Sequence, residues 1–290
     1  MIRFDPYIEP VSKVHQILLG AVAPRPIAFA STIDKDGNPN LSPFSFFNAF
    51  GVNPTTLIFS PSRRGRDNTT KDTFENLKEI PEVVINSVTY SIVQQANLAS
   101  TEFPRGVNEF VKAGFTPIPS EKVKPFRVKE SPVHFECKVR QIIETGNQGG
   151  AGNLVICEIL LIHVDDKILN EKGLIDPQKI DLVARMGAEY YCRASGDAVF
   201  SVGKPLSVGI GIDQLPPSVR NSEFLTGNDL GKLGLVEMLP SSQEINEYRD
   251  RMKEILKTKG NSEHMIAAYA RQLISENKPS EALTMLMAFL

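Results

Sequence analysis

The chain has 290 residues, of which 41% are hydrophobic and 23% are charged, and this composition favours a packed globular fold over intrinsic disorder. Its 32 basic and 34 acidic residues give a formal net charge of −2. This balance argues against a general nucleic-acid binder, because such proteins carry a large basic excess. The length fits one large domain, alone or with an appendage.

The sequence carries no pattern typical of export, membrane insertion or metal binding. The first residues, MIRFDPYIEP, include charges and lack an apolar core, so we expect no signal peptide. The longest uncharged run, 37–62, contains four prolines and four asparagines, which a lipid-facing helix would not tolerate. The three cysteines lack paired spacing and the four histidines lack metal-ligand spacing. We therefore expect a cytoplasmic protein without structural zinc.

Short apolar runs rich in β-branched and aromatic residues dominate the first two thirds of the chain. They predict six strands, at 26–33, 40–47, 55–60, 83–88, 133–143 and 154–164. Turn signals between the runs favour an antiparallel barrel or sandwich over a doubly wound sheet. Two helices are predicted between the strands, at 70–79 and 91–100, because each follows a residue that can cap a helix.

The composition changes after about residue 195. The segment 195–217 is rich in glycine and proline and is interpreted as a wrapping connection. Apolar residues at helical spacing then predict three helices, at 242–259 (ended by Gly260), 262–277 and 280–290. The predicted division is a barrel over 1–195, a connecting segment over 196–241 and a helical extension over 242–290. The extension is interpreted as a cap on the barrel or on its dimer partner, with recruitment of another protein as the alternative.

The segment 37–73 offers the clearest functional pattern. An uncharged stretch with small polar groups among phenylalanines precedes a loop that contains Arg63, Arg64, Arg66 and Lys71. A helix N-terminus with a lysine and hydroxyl groups is a ready site for an anion. Such a pattern suits a phosphorylated aromatic cofactor. The same residues also fit a strand, a solvated basic loop and an ordinary capped helix.

Several ordered motifs resemble those of a known family. They are PRPIAFAST, DGNPNLSPFSFFNAFGVNPTTLIFS, KDTFENL, VVINSV, FPRGVNEFVKAGFTPIPSEKVKPFRVKESPVHFECKV and LLIHVDDKIL. Over about residues 10–192 the chain resembles the flavin reductase-like, FMN-binding split-barrel proteins, and within them the flavoredoxin-like branch. The resemblance implies a mostly β fold: a six-stranded antiparallel Greek-key split barrel with helices. It also implies a homodimer with FMN near the subunit interface.

The resemblance implies flavin contacts from four parts of the chain. Carried over by position, the cofactor-binding residues are Ala30, Ser31 and Thr32 at the end of the first strand, Ser42, Phe44, Ser45 and Asn48 along the ring and ribityl chain, Lys71, Asp72 and Thr73 near the phosphate, and Asn86 closing the site. No GxGxxG dinucleotide motif is present, since VGIGIDQLP has the wrong glycine spacing.

One departure from the family concerns the electron donor. Many relatives that use NADH or NADPH have a Gly-Asp-His motif where this chain has Ala151, Gly152 and Asn153. His163 is a candidate replacement, although a lone histidine in a strand is more often structural. The implied function is an FMN-dependent oxidoreductase that passes electrons from NADH, NADPH or another donor to a flavin, a metal complex or another small acceptor. The alternatives are a non-catalytic FMN electron carrier for a protein partner and a small-ligand binding module.

Three further positions have two interpretations each. Arg25, between two prolines, is either a contact for an anionic substrate or phosphate, or a surface residue. The motif Arg185-Met186-Gly187, with Tyr191 after it, either packs in a dimer or forms a wall of the flavin site, and packing is favoured. Cys137 and Cys157 are interpreted as small buried hydrophobes rather than redox groups.

Overall fold

The computed structural model describes residues 1–259 and 262–290, with the side chains of 254–259 left out of the description. The chain forms two compact units, Met1–Phe200 (unit 1) and Ser201–Leu290 (unit 2). The predicted connecting segment 196–241 is not a separate part of the chain. Its first five residues belong to unit 1 and the rest belong to unit 2. The predicted helix end at Gly260 lies outside the described residues.

Unit 1 is built on antiparallel strands. Its strands are β1 (Ala28–Ile33), β2 (Pro39–Phe44), β3 (Phe47–Val52), β4 (Thr55–Phe59), β5 (Glu82–Asn86), β6 (Pro117–Ile118), β7 (Arg127–Val128), β8 (Val133–Glu144), β9 (Asn153–Val164), β10 (Val183–Arg185) and β11 (Tyr191–Arg193). Seven of them form one sheet in the order β2-β1-β5-β8-β9-β4-β3, while β6-β7 and β10-β11 form two small ribbons. Every pairing is antiparallel, as the sequence predicts.

The main sheet curls so that its two edges approach each other. Strands β2 and β3 lie at opposite edges, yet only Ser45 and Phe46 separate them in the chain. The three Cα–Cα steps from Phe44 to Phe47 span at most about 11 Å. In a flat sheet of seven strands, the two edge strands would lie six strand spacings apart, which is roughly 29 Å. The predicted strand 40–47 is thus two strands joined by a bend at Ser45, which makes the sheet seven-stranded instead of six-stranded.

Strand β1 lies between two hydrophobic cores, one on each face of the sheet. All six of its residues are buried, and alternate side chains point to opposite faces. Phe29 packs in one core, with the helices described next, and Ala28 and Ala30 pack in the other, with Phe59 and Leu77. This double burial explains why the run 26–33 is mostly apolar, with only Ser31 and Thr32 as polar residues.

The helices of unit 1 cover this sheet. They are α1 (Val11–Ala21), α2 (Asp72–Glu79), α3 (Val93–Leu98) and α4 (Glu109–Ala113). Helix α2 begins two residues later than predicted, since Lys71 is its N-cap. The predicted helix 91–100 consists of a short 3₁₀ turn followed by α3. Helices α1 and α4 were not predicted.

Unit 2 is helical, with α5 (Pro217–Arg220), α6 (Gly227–Leu233), α7 (Ser242–Lys259), α8 (Glu263–Ser275) and α9 (Pro279–Phe289). The last three correspond to the predicted helices. Leu215, Val219 and Leu233 are buried in the same core as the apolar faces of α8 and α9, which explains why this segment belongs to unit 2. Within the described ranges, no helix is both long and apolar enough to cross a bilayer.

Candidate functional site

The site begins at the free side of strand β2. Backbone groups of a strand alternate in direction, and those of Ser42 face β1 through its pairing with Ala30. On the other side, Pro39 and Pro43 have no N–H to offer, as is usual for proline in an edge strand. The remaining N–H there, of Leu41, donates to Oε2 of Glu109 at 3.0 Å. Strand β2 therefore ends the hydrogen-bonded sheet on this side.

At the start of β2 lies a small cavity, here called the Lys71 cavity, of about 20 Å³. Its lining includes Ser42 of β2, Lys71 and Thr73 at the start of α2, and Glu102 of the loop after α3. A volume of this size holds about one water molecule. The structure thus brings Ser42, predicted along the ring and ribityl chain, next to Lys71, Asp72 and Thr73, predicted near the phosphate, but leaves too little room for a phosphate group.

Glu102 occupies the position that an anion would take. Its carboxylate accepts from Nε of Arg64 at 3.0 Å, lies 3.4 Å from Nζ of Lys71, and pairs with Arg66. Burial opposes ionisation of Glu102, but the three cations outweigh it and lower the pKa of the carboxyl. One carboxylate therefore pairs with three of the four cationic residues that the sequence analysis considered for an anion site.

Two further carboxyl groups line the same cavity. Asp72 is in the first turn of α2, and Glu109 opens α4. Burial raises the pKa of Glu109, with Asp72 adding to the shift, so its neutral form is favoured more than in an exposed glutamate. Apart from Glu102, Asp67 is the only carboxylate of the described residues within 4.0 Å of the three cations Arg64, Arg66 and Lys71. Asp67 pairs with Arg66.

The N-terminus of α2 is held on the sheet by buried amides. Nδ2 of Asn40 donates to Oγ1 of Thr73 at 2.9 Å and to Oγ1 of Thr32 at 3.2 Å. Nδ2 of Asn76 donates to the same Thr32 hydroxyl at 3.2 Å. Lys71, the N-cap, makes no side-chain capping bond. The helix start is thus rigidly positioned, and its N-terminal N–H groups remain uncapped beside a lysine.

A second cavity, of about 220 Å³, lies further along β2 and is here called the Ser45 cavity. Ile27, Val88, Val93 and Ala96 give it apolar walls, with Pro43 at the strand; its polar lining residues are Ser45, Asn97, Ser100, Arg185 and Tyr191. Ser100 lines the Lys71 cavity as well. The two cavities therefore adjoin, with charge at one end and apolar surface in the middle.

A third cavity, of about 550 Å³, continues in the same direction and is here called the Tyr90 cavity. Its lining includes Tyr90, Gln94 and the hairpin β10-β11, and it shares Val93, Asn97, Arg185 and Tyr191 with the Ser45 cavity. Neighbouring cavities thus share lining residues from the start of α2 to this hairpin, and all three lie within unit 1.

The other predicted site residues lie away from these cavities: Ala30, Ser31, Thr32, Phe44, Asn48 and Asn86. Ala30 lies between Ser42 of β2 and Ile85 of β5, so it is in the interior of the sheet. Nδ2 of Asn86 donates to the carbonyl of Phe29 at 2.9 Å, and its Oδ1 accepts from the N–H of Val128 at 3.0 Å.

The side chains of Phe44 and Asn48 show the same separation from the cavities. Phe44 is buried against Phe59, with ring centroids 5.5 Å apart. Asn48 is exposed on β3, where it accepts from the N–H of Ala49. A direct flavin contact by these six residues stays a prediction.

Arg25 is buried, unlike the surface residue of one interpretation. It donates to the carbonyls of Leu19 and Val22 at the end of α1 and, at 2.9 Å, to that of Met186. Its Nε lies 3.4 Å from Oγ of Ser45. Burial lowers the pKa of Arg25, and nearby Arg185 lowers it further. Arg25 therefore joins α1 to the hairpin that borders the Ser45 cavity.

The residues considered for electron donation or redox chemistry are bonded to other parts of the fold or buried within it. Nδ2 of Asn153 donates to the carbonyl of Pro61 at 3.0 Å. Nε2 of His163 lies 2.6 Å from Oε1 of the fully buried Glu136. Cys137 and Cys157 are free and fully buried, and burial raises the pKa of both thiols. None of these residues lines the three cavities.

Sequence reasoning missed several residues of the site. Asn40 and Glu109 lie inside motifs quoted above, and Glu102 directly precedes one of them. Their position at the site depends on the folding of three separate segments onto one another. Asn97 belongs to a predicted helix, and no local pattern distinguishes it from a solvent-facing amide.

Comparison with known proteins identifies the family. Residues 20–180 match the family described as flavin reductase like domain, and the chain belongs to this family. A protein of Aquifex aeolicus (strain VF5) is 40% identical over 189 residues, which are 65% of this chain and 94% of that protein.

Two solved structures resemble unit 1 in fold. A protein of Shewanella frigidimarina NCIMB 400, assigned as a flavin reductase with a split barrel domain, is 27% identical, with a TM-score of 0.60 over 70% of this chain and 100% of that one. Flavoredoxin of Desulfovibrio vulgaris (Miyazaki F) is 25% identical, with a TM-score of 0.54 over 63% of this chain and 92% of that one. The likeness confirms the predicted family; the Greek-key order and the homodimer stay predictions.

Proposed function

We propose that unit 1 binds FMN along the free side of β2 and that the protein is an FMN-dependent oxidoreductase. The observation that carries the proposal is the series of adjoining cavities, with cations and an uncapped helix N-terminus at one end and apolar walls in the middle. A ligand with a phosphate at one end and a planar ring at the other matches this order. Membership of the flavin reductase-like family supports the same cofactor class.

The Lys71 cavity fits the phosphate once Glu102 has moved. Lys71 and Arg64 supply charge, Ser42 and Thr73 supply hydroxyls, and α2 supplies free N–H groups. The hydroxyl of Thr73 accepts from Asn40, so its own hydrogen is free to donate to a phosphate oxygen. We infer that the phosphate replaces the Glu102 carboxylate in an exchange of one anion for another.

The Ser45 cavity fits the ring. Its apolar walls bury a flat surface, and the hydroxyl of Ser45 and the amide of Asn97 offer hydrogen bonds at its edge. When bound, FMN supplies hydride and electron transfer, while the protein supplies binding, orientation and electrostatics. Arg185, which lines this cavity, would place a positive charge next to the ring.

The donor and the acceptor are small molecules in this proposal. The Tyr90 cavity adjoins the Ser45 cavity and is open to a second ligand of ordinary size, which favours an enzyme. We propose NADH or NADPH as the donor and a flavin, a metal complex or another small molecule as the acceptor. A non-catalytic electron carrier is the second candidate, since Asn153 stands where many relatives have histidine and is bonded to Pro61.

The visible spectrum of the purified full-length chain tests the proposal. After incubation with FMN and gel filtration, we expect the protein fraction to retain oxidised flavin absorption. Anaerobic addition of NADH or NADPH should then bleach it. Retention without bleaching by either nucleotide would support the carrier, and a colourless fraction would reject the FMN proposal. The homodimer and the cytoplasmic location remain predictions that light scattering and cell fractionation can check.

A further inference from the structure

The Tyr90 cavity has no role in binding FMN as proposed above. Its volume of about 550 Å³ lies within the usual range for small-molecule sites, roughly 300–1,000 Å³. Two tyrosines in its wall are partly exposed, Tyr90 at 53% and Tyr191 at 36%. Exposed aromatic rings facing a cavity are suited to stacking against a planar ligand.

An arginine stacks on each of these rings. The guanidinium of Arg193 lies 4.0 Å from the centroid of Tyr90, and that of Arg185 lies 4.6 Å from the centroid of Tyr191. The planar, forked guanidinium group binds carboxylate and phosphate groups through paired hydrogen bonds. The cavity wall therefore combines aromatic surface with two potential anion-binding groups.

The two arginines differ in their partners. Arg193 forms a bidentate pair with Asp181, at 2.6 and 2.8 Å. Arg185 donates to the carbonyl of Ala188 at 3.0 Å, and no carboxylate oxygen of the described residues lies within 4.0 Å of it. Glu189 lines the cavity but lies beyond that distance. Arg185 is thus the cationic group of the wall that is left to neutralise a ligand.

We propose that the Tyr90 cavity binds a planar aromatic molecule carrying a carboxylate or phosphate group, with the anion at Arg185 and the ring against Tyr191. Because Arg185 and Tyr191 also line the Ser45 cavity, the bound ring lies next to the position proposed for the flavin. The ligand is therefore the second substrate of the proposed oxidoreductase. Only this role rests on the proposed function; the binding site itself does not.

Isothermal titration of the full-length chain with matched probes tests the site. Benzoate and benzamide differ in charge on the same ring, and AMP and adenosine differ by a phosphate. We expect at least one anionic probe to bind roughly 10-fold more tightly than its uncharged counterpart. A preference within the first pair identifies an aromatic carboxylate, and a preference within the second identifies a nucleotide phosphate.

Two variants change the affinity in opposite directions. Arg185→Gln should weaken the anionic probe by roughly 10–100-fold and leave its uncharged counterpart unchanged. Asp181→Asn should tighten the anionic probe by about 2–5-fold, because Arg193 loses its neutralising partner. Asn suits this position, where φ is 50°, at least as well as Asp. Arg271→Gln, an exposed arginine of α8 in unit 2, is the matched control and should change nothing.

Thermal unfolding of each variant confirms that it is folded before binding is compared. If neither anionic probe binds better than its uncharged counterpart, or if Arg185→Gln leaves the difference intact, the inference is wrong. If the protein loaded with one equivalent of FMN no longer binds the anionic probe, the cavity belongs to the bound flavin, and the inference is also wrong. If the anion binds but FMN does not, the proposed function fails while the anion site stands.

Discussion

Replacing Glu102 by glutamine should strengthen FMN binding, because the phosphate no longer has to displace a carboxylate. Glu102 pairs with Arg64, Arg66 and Lys71 when no phosphate is bound. These side chains are partly exposed, and such pairs are worth about 0.2–1 kcal/mol each. The Arg66 side chain is mostly exposed to solvent, so its pair contributes no energy. At about 0.5 kcal/mol for each of the other two pairs, the exchange costs roughly 1 kcal/mol. Glu102→Gln should therefore tighten FMN binding about fivefold.

Quenching of flavin fluorescence, titrated with FMN and with riboflavin, measures this effect. Riboflavin lacks the phosphate, so its affinity should be the same in the variant and the natural chain. Glu144→Gln is the matched control, since Glu144 lies 4.0 Å from Arg63 but does not line the Lys71 cavity. Weaker FMN binding in Glu102→Gln would show that Glu102 organises the cations instead of competing with the phosphate. An equal gain for riboflavin, or for Glu144→Gln, would refute the exchange.

Three further predictions concern the same site and the two units. Lys71→Ala should weaken FMN by roughly 10–100-fold, and the phosphate would lie elsewhere if riboflavin weakened equally in the same titration. Deletion of 201–290 should leave a folded, FMN-binding unit 1. A chain that lacks only 242–290 should aggregate, as measured by light scattering, because this deletion removes part of the core of unit 2 and exposes the rest. The reverse outcome would contradict the two-unit division. Glu136→Gln should lower the free energy of unfolding by about 2–3 kcal/mol at pH 7, since buried Glu136 accepts from two backbone N–H groups and His163. Burial opposes ionisation of Glu136, but these hydrogen bonds outweigh it and lower the pKa of the carboxyl. The difference in stability between the natural chain and Glu136→Gln, measured by urea unfolding, should therefore persist above about pH 4.3 and shrink as the pH falls further. A constant difference down to pH 3 would refute this.

Three predicted strands correspond closely to observed ones: 26–33 to β1, 133–143 to β8 and 154–164 to β9. Burial accounts for the apolar residues throughout β1, whereas Leu160, Ile162 and Val164 of β9 are exposed. The run 40–47 was misassigned as one strand. The bend at Ser45 follows from closure of the sheet, which is a long-range constraint that no local pattern carries.

The missed helices show a different limit. Helix α4 has only five residues, and its register is fixed by the Asn108 cap and by Glu109 reaching the N–H of Leu41. Helix α1 has no buried residue, so its apolar spacing is not explained by the core of this chain. The end of α1 is instead held by the distant Arg25.

The candidate site was predictable where the motif is local. The sequence places Lys71, Asp72 and Thr73 at a helix start, and a helix start with a lysine and hydroxyl groups is the pattern from which the anion site is predicted. The absence of a side-chain cap is visible only in the structure. The rest of the site depends on which strand edge is free. Ser42 and Ser45 line cavities because β2 is an edge strand, whereas Ala30 and Asn86 lie in the interior of the sheet.

Equilibrium binding of FMN and of riboflavin to the purified full-length chain tests the central claim most directly. If the Lys71 cavity holds the phosphate and the Ser45 cavity the ring, both ligands should bind, with FMN tighter by about tenfold or more, since a hydrogen bond to a charged group contributes about 1.5–3 kcal/mol. Equal affinities would contradict the phosphate site, and failure of both ligands to bind would contradict the flavin site altogether.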